Sequence, residues 1–194
     1  IRWNSATKGQ VGPDQFIKVA EEMGLINQIG LWVIKQALSD LDEVKRIFGD
    51  AVSINVNLSP HQLKNSALTN ELVSLAEQKP SLMNNLILEV TENVLINDAS
   101  VDRISKLRKA GYRIALDDFG TGFSSLSHIA RMPIDILKID QSFIARFDDS
   151  ERDRLLLKNI VAMAKDLDLH IVAEGIESEH QADQLADMGC PNMQ

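Results

Sequence analysis

The sequence predicts an α/β fold arranged as a barrel, on three observations. Five short apolar runs alternate with stretches of helical periodicity. Each run is near-continuously apolar, as a parallel strand buried on both faces must be. A polar residue closes every run: Asn57, Glu89, Asp117 with Asp118, Lys138 and Glu174. In an open doubly wound sheet, only the strands beside a switch point are expected to carry function. In a barrel all strand ends converge on one mouth, and the spacings of 32, 28, 21 and 36 residues are each about one βα unit.

From Asp14 to about Phe48 apolar residues recur at helical spacing: Phe16, Val19, Ala20 and Met23, then Ile26, Ile29, Trp32, Val33 and Leu38. Gly24 separates two helices there, and Trp32 is assigned to the core. Ala51 to Leu58 reads as a strand stopped by Pro60, with Ser59 able to cap the next element. Leu86–Val90 is a strand, and Val101–Ala110 a helix ended by Gly111. Arg113–Asp117 is a strand, and Ser124–Arg131 a short helix stopped before Pro133. Ile136–Ile139 is a strand and Arg154–Leu167 a helix. His170–Glu174 is the fifth strand, and Glu179–Met188 a helix closed by Gly189. No linker interrupts the series, so residues 1–194 are expected to form one domain.

Composition narrows the chemistry. The 194 residues are 44% hydrophobic and 25% charged, which is globular rather than disordered. A formal net charge of -8 disfavours a broad basic footprint for DNA, RNA or anionic lipid. The single cysteine, Cys190, excludes an internal disulfide and a thiolate zinc cluster, fits a reducing compartment and is expected to be a small buried residue. No apolar run approaches the roughly 20 residues of a membrane span, and no signal peptide is visible. His61, His128, His170 and His180 lack metal-ligand spacing and are expected at the surface. The pairs Glu21–Glu22 and Asp148–Asp149 read as solvated charge, and Trp3 as either a mouth residue or a core one.

Glu89, Asp117, Asp118 and Glu174 would crowd one mouth, with Asn57 as a neutral oxygen donor. Carboxylates that close repel unless cations lie between them. Hard divalent ions such as Mg²⁺ or Mn²⁺ take such ligands, and a pair about 4 Å apart suits in-line attack on phosphorus. Lys138 among the carboxylates would orient or help deprotonate a water, or stabilise charge on a phosphoryl oxygen. Singly, each acid could equally be a helix cap or a surface ion-pair partner. Phe119 to Leu126 reads as a βα turn, and as a mobile loop that positions the aspartates above it.

Asn57-Leu58-Ser59, Glu89-Val90-Thr91-Glu92, the segment Asp117 to Leu126, Leu137-Lys138-Ile139-Asp140 and Val172-Ala173-Glu174-Gly175-Ile176-Glu177 together resemble the EAL domain of bacterial second-messenger signalling. The resemblance covers essentially the whole chain, with the motifs in the family's order and spacing. It implies a (β/α)8 TIM-like barrel, incomplete in this chain because the first strand and the end of the last unit are missing. It implies a hydrolase that converts cyclic di-GMP to linear pGpG with two Mg²⁺ or Mn²⁺ ions and is inhibited by Ca²⁺. Asn57, Glu89, Asp117, Asp118 and Glu174 then look like metal ligands, with Asp117 bridging. Lys138 resembles the lysine that contacts the nucleophilic water, and Glu92 the glutamate that holds the loop after the aspartates. Gln194 falls near that water, and Arg2 and Asp140 at ligand-contacting positions. The family also implies a homodimer, a cytoplasmic domain of a protein that is sometimes membrane-anchored, and an upstream sensor or GGDEF domain.

Two departures qualify the match. Ile1-Arg2-Trp3 resembles the residues just after the Glu-Ala-Leu signature, so the signature glutamate, a metal ligand, is absent from this sequence. Phe123 stands where tyrosine is common. A cut-out of a longer domain with exposed barrel edges is expected to be weakly stable or aggregation-prone alone. Two other classes stay open: a non-catalytic cyclic di-GMP receptor of the same fold, and a protein-interaction scaffold that ignores the nucleotide.

Overall fold

The computed structural model describes residues 1–120, 129–147 and 150–194, with the backbone only at 95 and 96. Its centre is a six-stranded, all-parallel sheet: β3 (Ile54–Asn57), β4 (Leu86–Thr91), β5 (Arg113–Phe119), β6 (Ile136–Ile139), β7 (His170–Ala173) and β8 (Asn192–Met193), in that spatial order. A separate antiparallel hairpin, β1 (Trp3–Ser5) and β2 (Gly9–Val11), precedes them. Sequential strands pair side by side, so the sheet curls in one direction as a barrel does, and β3 and β8 are its unpaired edges. The architecture is an incomplete α/β barrel.

Helices cover the outer face. They are α1 (Pro13–Glu22), α2 (Ile26–Phe48), α3 (Pro60–Leu63), α4 (Ser66–Gln78), α5 (Asp98–Lys109), α6 (Gln141–Ile144), α7 (Glu151–Asp166) and α8 (Glu179–Met188). Several begin at sequence-encoded caps. Ser59 and Ser178 form capping boxes with Gln62 and Gln181, and the Asn65, Asn97, Asp140 and Ser150 side chains accept N–H bonds at other helix starts. The caps at Asn97 and Ser150 start α5 and α7 three residues earlier than apolar spacing alone predicts. The main core lies between helices and sheet, from Ile34, Leu38 and Leu41 through Leu88, Ile114 and Leu137 to Leu157 and Leu185. Tyr112 is buried in it, its hydroxyl donating to the Leu72 carbonyl at 2.9 Å.

Three expectations need correction or extension. Trp32 is 58% exposed rather than core. The buried stripe of α2 runs through Ile26, Gly30, Ile34, Ala37, Leu38 and Leu41. Trp32 is two residues from Ile34, about 160° around the helix, and so faces outward. The hairpin and α4 had no sequence expectation, and the strand expected over Ala51–Leu58 is shorter because residues 51–53 and Leu58 lie outside it. Cys190 is buried, and His61, His170 and His180 are exposed. The helix expected over Ser124–Arg131 falls mostly outside the described residues, as do Phe123, His128 and the Asp148–Asp149 pair.

The inner face of the sheet positions the site. Ile87, Ala115 and Ile136 form a small buried cluster there with Val172 packed against it. A strand returns to the same face every second residue. Two positions further along the same four chains stand Glu89, Asp117, Lys138 and Glu174. An apolar floor therefore carries a charged layer directly above it, one residue from each strand.

Candidate active site

The charged layer is organised around Lys138, which is 4% exposed. Its ammonium lies 2.7 Å from Glu89 Oε1, 2.9 Å from Asp117 Oδ1 and 2.6 Å from Glu174 Oε1. An ammonium has three protons, and each has one carboxylate acceptor. Burial acts to lower the Lys138 pKa, but the hydrogen bonds to Glu174, Glu89 and Asp117 outweigh it and hold the group above its ordinary value. Lys138 is thus held as an ammonium and a three-fold donor in this arrangement.

Two of these carboxylate oxygens take a second donor. The Asn55 side-chain amide donates to Glu89 Oε1 at 2.8 Å, and the Asp118 N–H to Asp117 Oδ1 at 3.2 Å. Among the described residues the other oxygen of Glu89, Asp117 and Glu174 has no protein donor. The lysine occupies one edge of each carboxylate and leaves the second edge available.

Asp117 and Asp118 both reach the site although adjacent strand residues normally face opposite ways. The register between β5 and β6 slips between Leu116 and Phe119, and Asp118 takes φ 54°. That left-handed turn costs about 1–2 kcal/mol for most side chains, with aspartate among the more tolerant. Its consequence is that oxygens of Asp117, Asp118 and Glu174 lie within 4.8 Å of one another. Burial and then the charges of Asp117, Asp140 and Glu89 push the Asp118 pKa up, against the pull of Lys138. One ammonium does not neutralise this group. The donor set, all carboxylate oxygen, fits a hard divalent cation.

Glu92 is buried just after β4 and accepts the Gly120 N–H at 2.7 Å, immediately after the paired aspartates. Gly120 has φ 99°, and a Cβ there would stand 2.1 Å from Phe143 Cε2. Gly120→Ala is expected to cost at least about 2 kcal/mol, from backbone strain plus overpacking against Phe143. Thermal melts check this. Adding Phe143→Leu should recover the steric part only, and a single variant that melts like wild type would refute the account.

Asp140 caps α6, accepting the Ser142 N–H at 2.9 Å, and lines an open cleft of about 360 Å³ with Asp118, Gln141, Glu174, Gly175 and Gln194. The Gln194 backbone closes this side, its N–H donating to Ala173 O and its carbonyl accepting from Gly175. Asn57 is exposed on the inner face of β3, level with Glu89 in the strand register. Arg2 is exposed and has no hydrogen bond or ion pair among the described residues. A larger groove of about 680 Å³ between α7 and α8 contains none of the strand-end residues. Asn55 and Gly120 were not among the sequence candidates. Asn55 was detectable as the residue two before Asn57, on the same face of the strand.

The EAL domain family model matches residues 1–194. The chain is 37% identical over 196 residues to the cyclic di-GMP phosphodiesterase NbdA of Pseudomonas aeruginosa, covering 100% of this chain and 25% of that protein. It is 36% identical over 200 residues to the bifunctional diguanylate cyclase/cyclic di-GMP phosphodiesterase MucR of the same organism, covering 100% of this chain and 29% of that protein. Among solved structures, the PaMucR phosphodiesterase in complex with c-di-GMP superposes with a TM-score of 0.87 at 36% identity, over 99% of this chain and 78% of that one.

Proposed function

The chain belongs to the EAL domain family, and from that premise we propose that residues 1–194 belong to a single phosphodiesterase domain that hydrolyses cyclic di-GMP to linear pGpG. The observation that carries this reading is the Lys138 ammonium clamped between Glu89, Asp117 and Glu174, beside the Asp117–Asp118–Glu174 oxygen cluster. Asn57, Glu89, Asp117, Asp118 and Glu174 would hold two Mg²⁺ or Mn²⁺ ions. When bound, such ions neutralise the phosphodiester and make water a competent nucleophile at neutral pH.

The remaining work falls to the chain. Lys138, held as an ammonium, orients the attacking water by donating to its oxygen, which requires it to release one of its three carboxylates. A carboxylate oxygen of the cluster that no cation occupies is the acceptor for the proton that water loses. The P–O bond to the ribose breaks as the water oxygen bonds to phosphorus, and the departing ribose oxygen takes up a proton from solvent to become a hydroxyl. Glu92 anchors the backbone behind the aspartates through Gly120, Gln194 flanks the water, and Arg2 and Asp140 contact the nucleotide. Ca²⁺ would inhibit, because its larger and more variable coordination does not reproduce the tight octahedral geometry of Mg²⁺.

The same premise suggests a homodimer, a cytoplasmic setting and an upstream sensor or GGDEF domain in a parent protein of the kind that is sometimes membrane-anchored. The bifunctional name of the MucR relative supports the cyclase part of this reading. Among the described residues no helix is long and apolar enough to cross a membrane. Incubation of the full-length protein with cyclic di-GMP and Mn²⁺ is expected to yield pGpG, read by chromatography. A folded, Mn²⁺-binding protein that leaves the substrate intact would overturn hydrolysis and leave a nucleotide receptor.

A further inference from the structure

The inner floor of the barrel is apolar on β4, β5, β6 and β7, where Ile87, Ala115, Ile136 and Val172 stand. On β3 the residue in register with Ile87 is Asn55, a polar side chain at that level. It reaches diagonally upward to the next strand and donates to Glu89 Oε1 at 2.8 Å. The two strands are parallel neighbours, about 4.8 Å apart, so an asparagine amide spans from one to a residue further along the next. Lys138 donates to the same oxygen at 2.7 Å. Two donors from different strands, one neutral and one charged, therefore converge on one oxygen of a carboxylate that is 5% exposed. A carboxyl group so held cannot rotate without breaking both bonds.

We infer that Asn55 is a positioning residue that fixes Glu89 as a one-oxygen ligand, reserving Oε2 for the cation. This rests on the cation-dependent reading above and goes beyond the ligand set by naming what holds one member in place. Lys138 alone does not do this, because it divides its three protons among Glu89, Asp117 and Glu174 and gives one of them up to orient water. Asn55 ties Glu89 instead to the β3 backbone. Supporting residues of this type typically change metal affinity about 10–100-fold when removed.

The test uses Asn55→Leu, which keeps the volume and removes the donor, and Asn55→Gln, which keeps an amide, both in the full-length protein. Mn²⁺ affinity by titration calorimetry and the metal-free Tm are read together with hydrolysis. Asn55→Leu is expected to weaken Mn²⁺ binding about 10-fold, with the metal-free Tm close to wild type and much of the affinity recovered in Asn55→Gln. An unchanged Mn²⁺ affinity in Asn55→Leu, whether or not the Tm falls, overturns the inference. So does an Asn55→Gln variant as weak as Asn55→Leu. A wild-type protein that binds Mn²⁺ without hydrolysing cyclic di-GMP overturns the hydrolytic reading alone, and the Mn²⁺ affinities still decide for Asn55. A wild-type protein that binds no Mn²⁺ overturns both.

Discussion

Lys138→Met is expected to lower stability in metal-free buffer by about 3–5 kcal/mol, the usual cost of removing one partner from a buried ion cluster. For a chain of this size that is a fall in Tm of about 10 °C. The cause is the charge left behind. Glu89, Asp117 and Glu174 have side chains only 6%, 14% and 22% exposed, and each loses its ammonium partner. Methionine fills the space of the lysine stem but supplies no charge. Mn²⁺ is therefore expected to raise the Tm of the variant by more than it raises that of wild type, because a cation then replaces a cation. Hydrolysis should fall about 10²–10³-fold at saturating Mn²⁺, the range for losing one positioned hydrogen-bond donor at a reacting oxygen. Melts with and without Mn²⁺, paired with product assays, separate the two effects. A metal-free Tm equal to that of wild type would show that the carboxylates do not depend on Lys138 for neutralisation.

How much of the fold and the site is legible in the sequence depends on the period of each signal. The floor and the charged layer are readable because strands repeat every second residue: Ile87 and Glu89, Ala115 and Asp117, Ile136 and Lys138, Val172 and Glu174 each share a face. Apolar continuity marks those strands as buried, and the structure places them in one parallel sheet. Asp118 breaks the rule. By alternation it should face away from Asp117, and only the register slip and φ 54° bring both acids together. A backbone irregularity of that kind has no periodic signature. Trp32 was misplaced for a related reason, since spacing located α2 without fixing which stripe faced inward. The α4 helix carried readable signals, an Asn65 cap and Leu68, Leu72 and Ala76 four residues apart. The β1–β2 hairpin did not, being mostly exposed and three residues per strand.

Asp118→Asn should move stability and function in opposite directions. Asparagine tolerates the left-handed backbone at this position, so the turn is kept. The loss is a carboxylate whose pKa is raised by burial and by Asp117, Asp140 and Glu89. A carboxyl group with a raised folded-state pKa binds its proton more tightly in the folded protein than in the unfolded one. It favours the folded state at low pH, and that advantage is lost as pH rises from its unfolded value of about 4 through the folded one. At pH 7 the charged Asp118 therefore works against the metal-free fold. Removing it is expected to add a few tenths of a kcal/mol to about 1 kcal/mol there, a small gain because solvent screens an exposed group. The gain should vanish near pH 3, where Asp118 carries no charge in either state. Function goes the other way, because the oxygen cluster of Asp117, Asp118 and Glu174 loses a charged member. Mn²⁺ affinity and hydrolysis should fall by more than the roughly 10–100-fold that losing a supporting residue costs. Denaturant titrations at pH 7 and pH 3, alongside Mn²⁺ titration, test both halves. A variant less stable than wild type at pH 7 would mean that Asp118 is already neutralised within the protein, and that cation binding is not what relieves its charge.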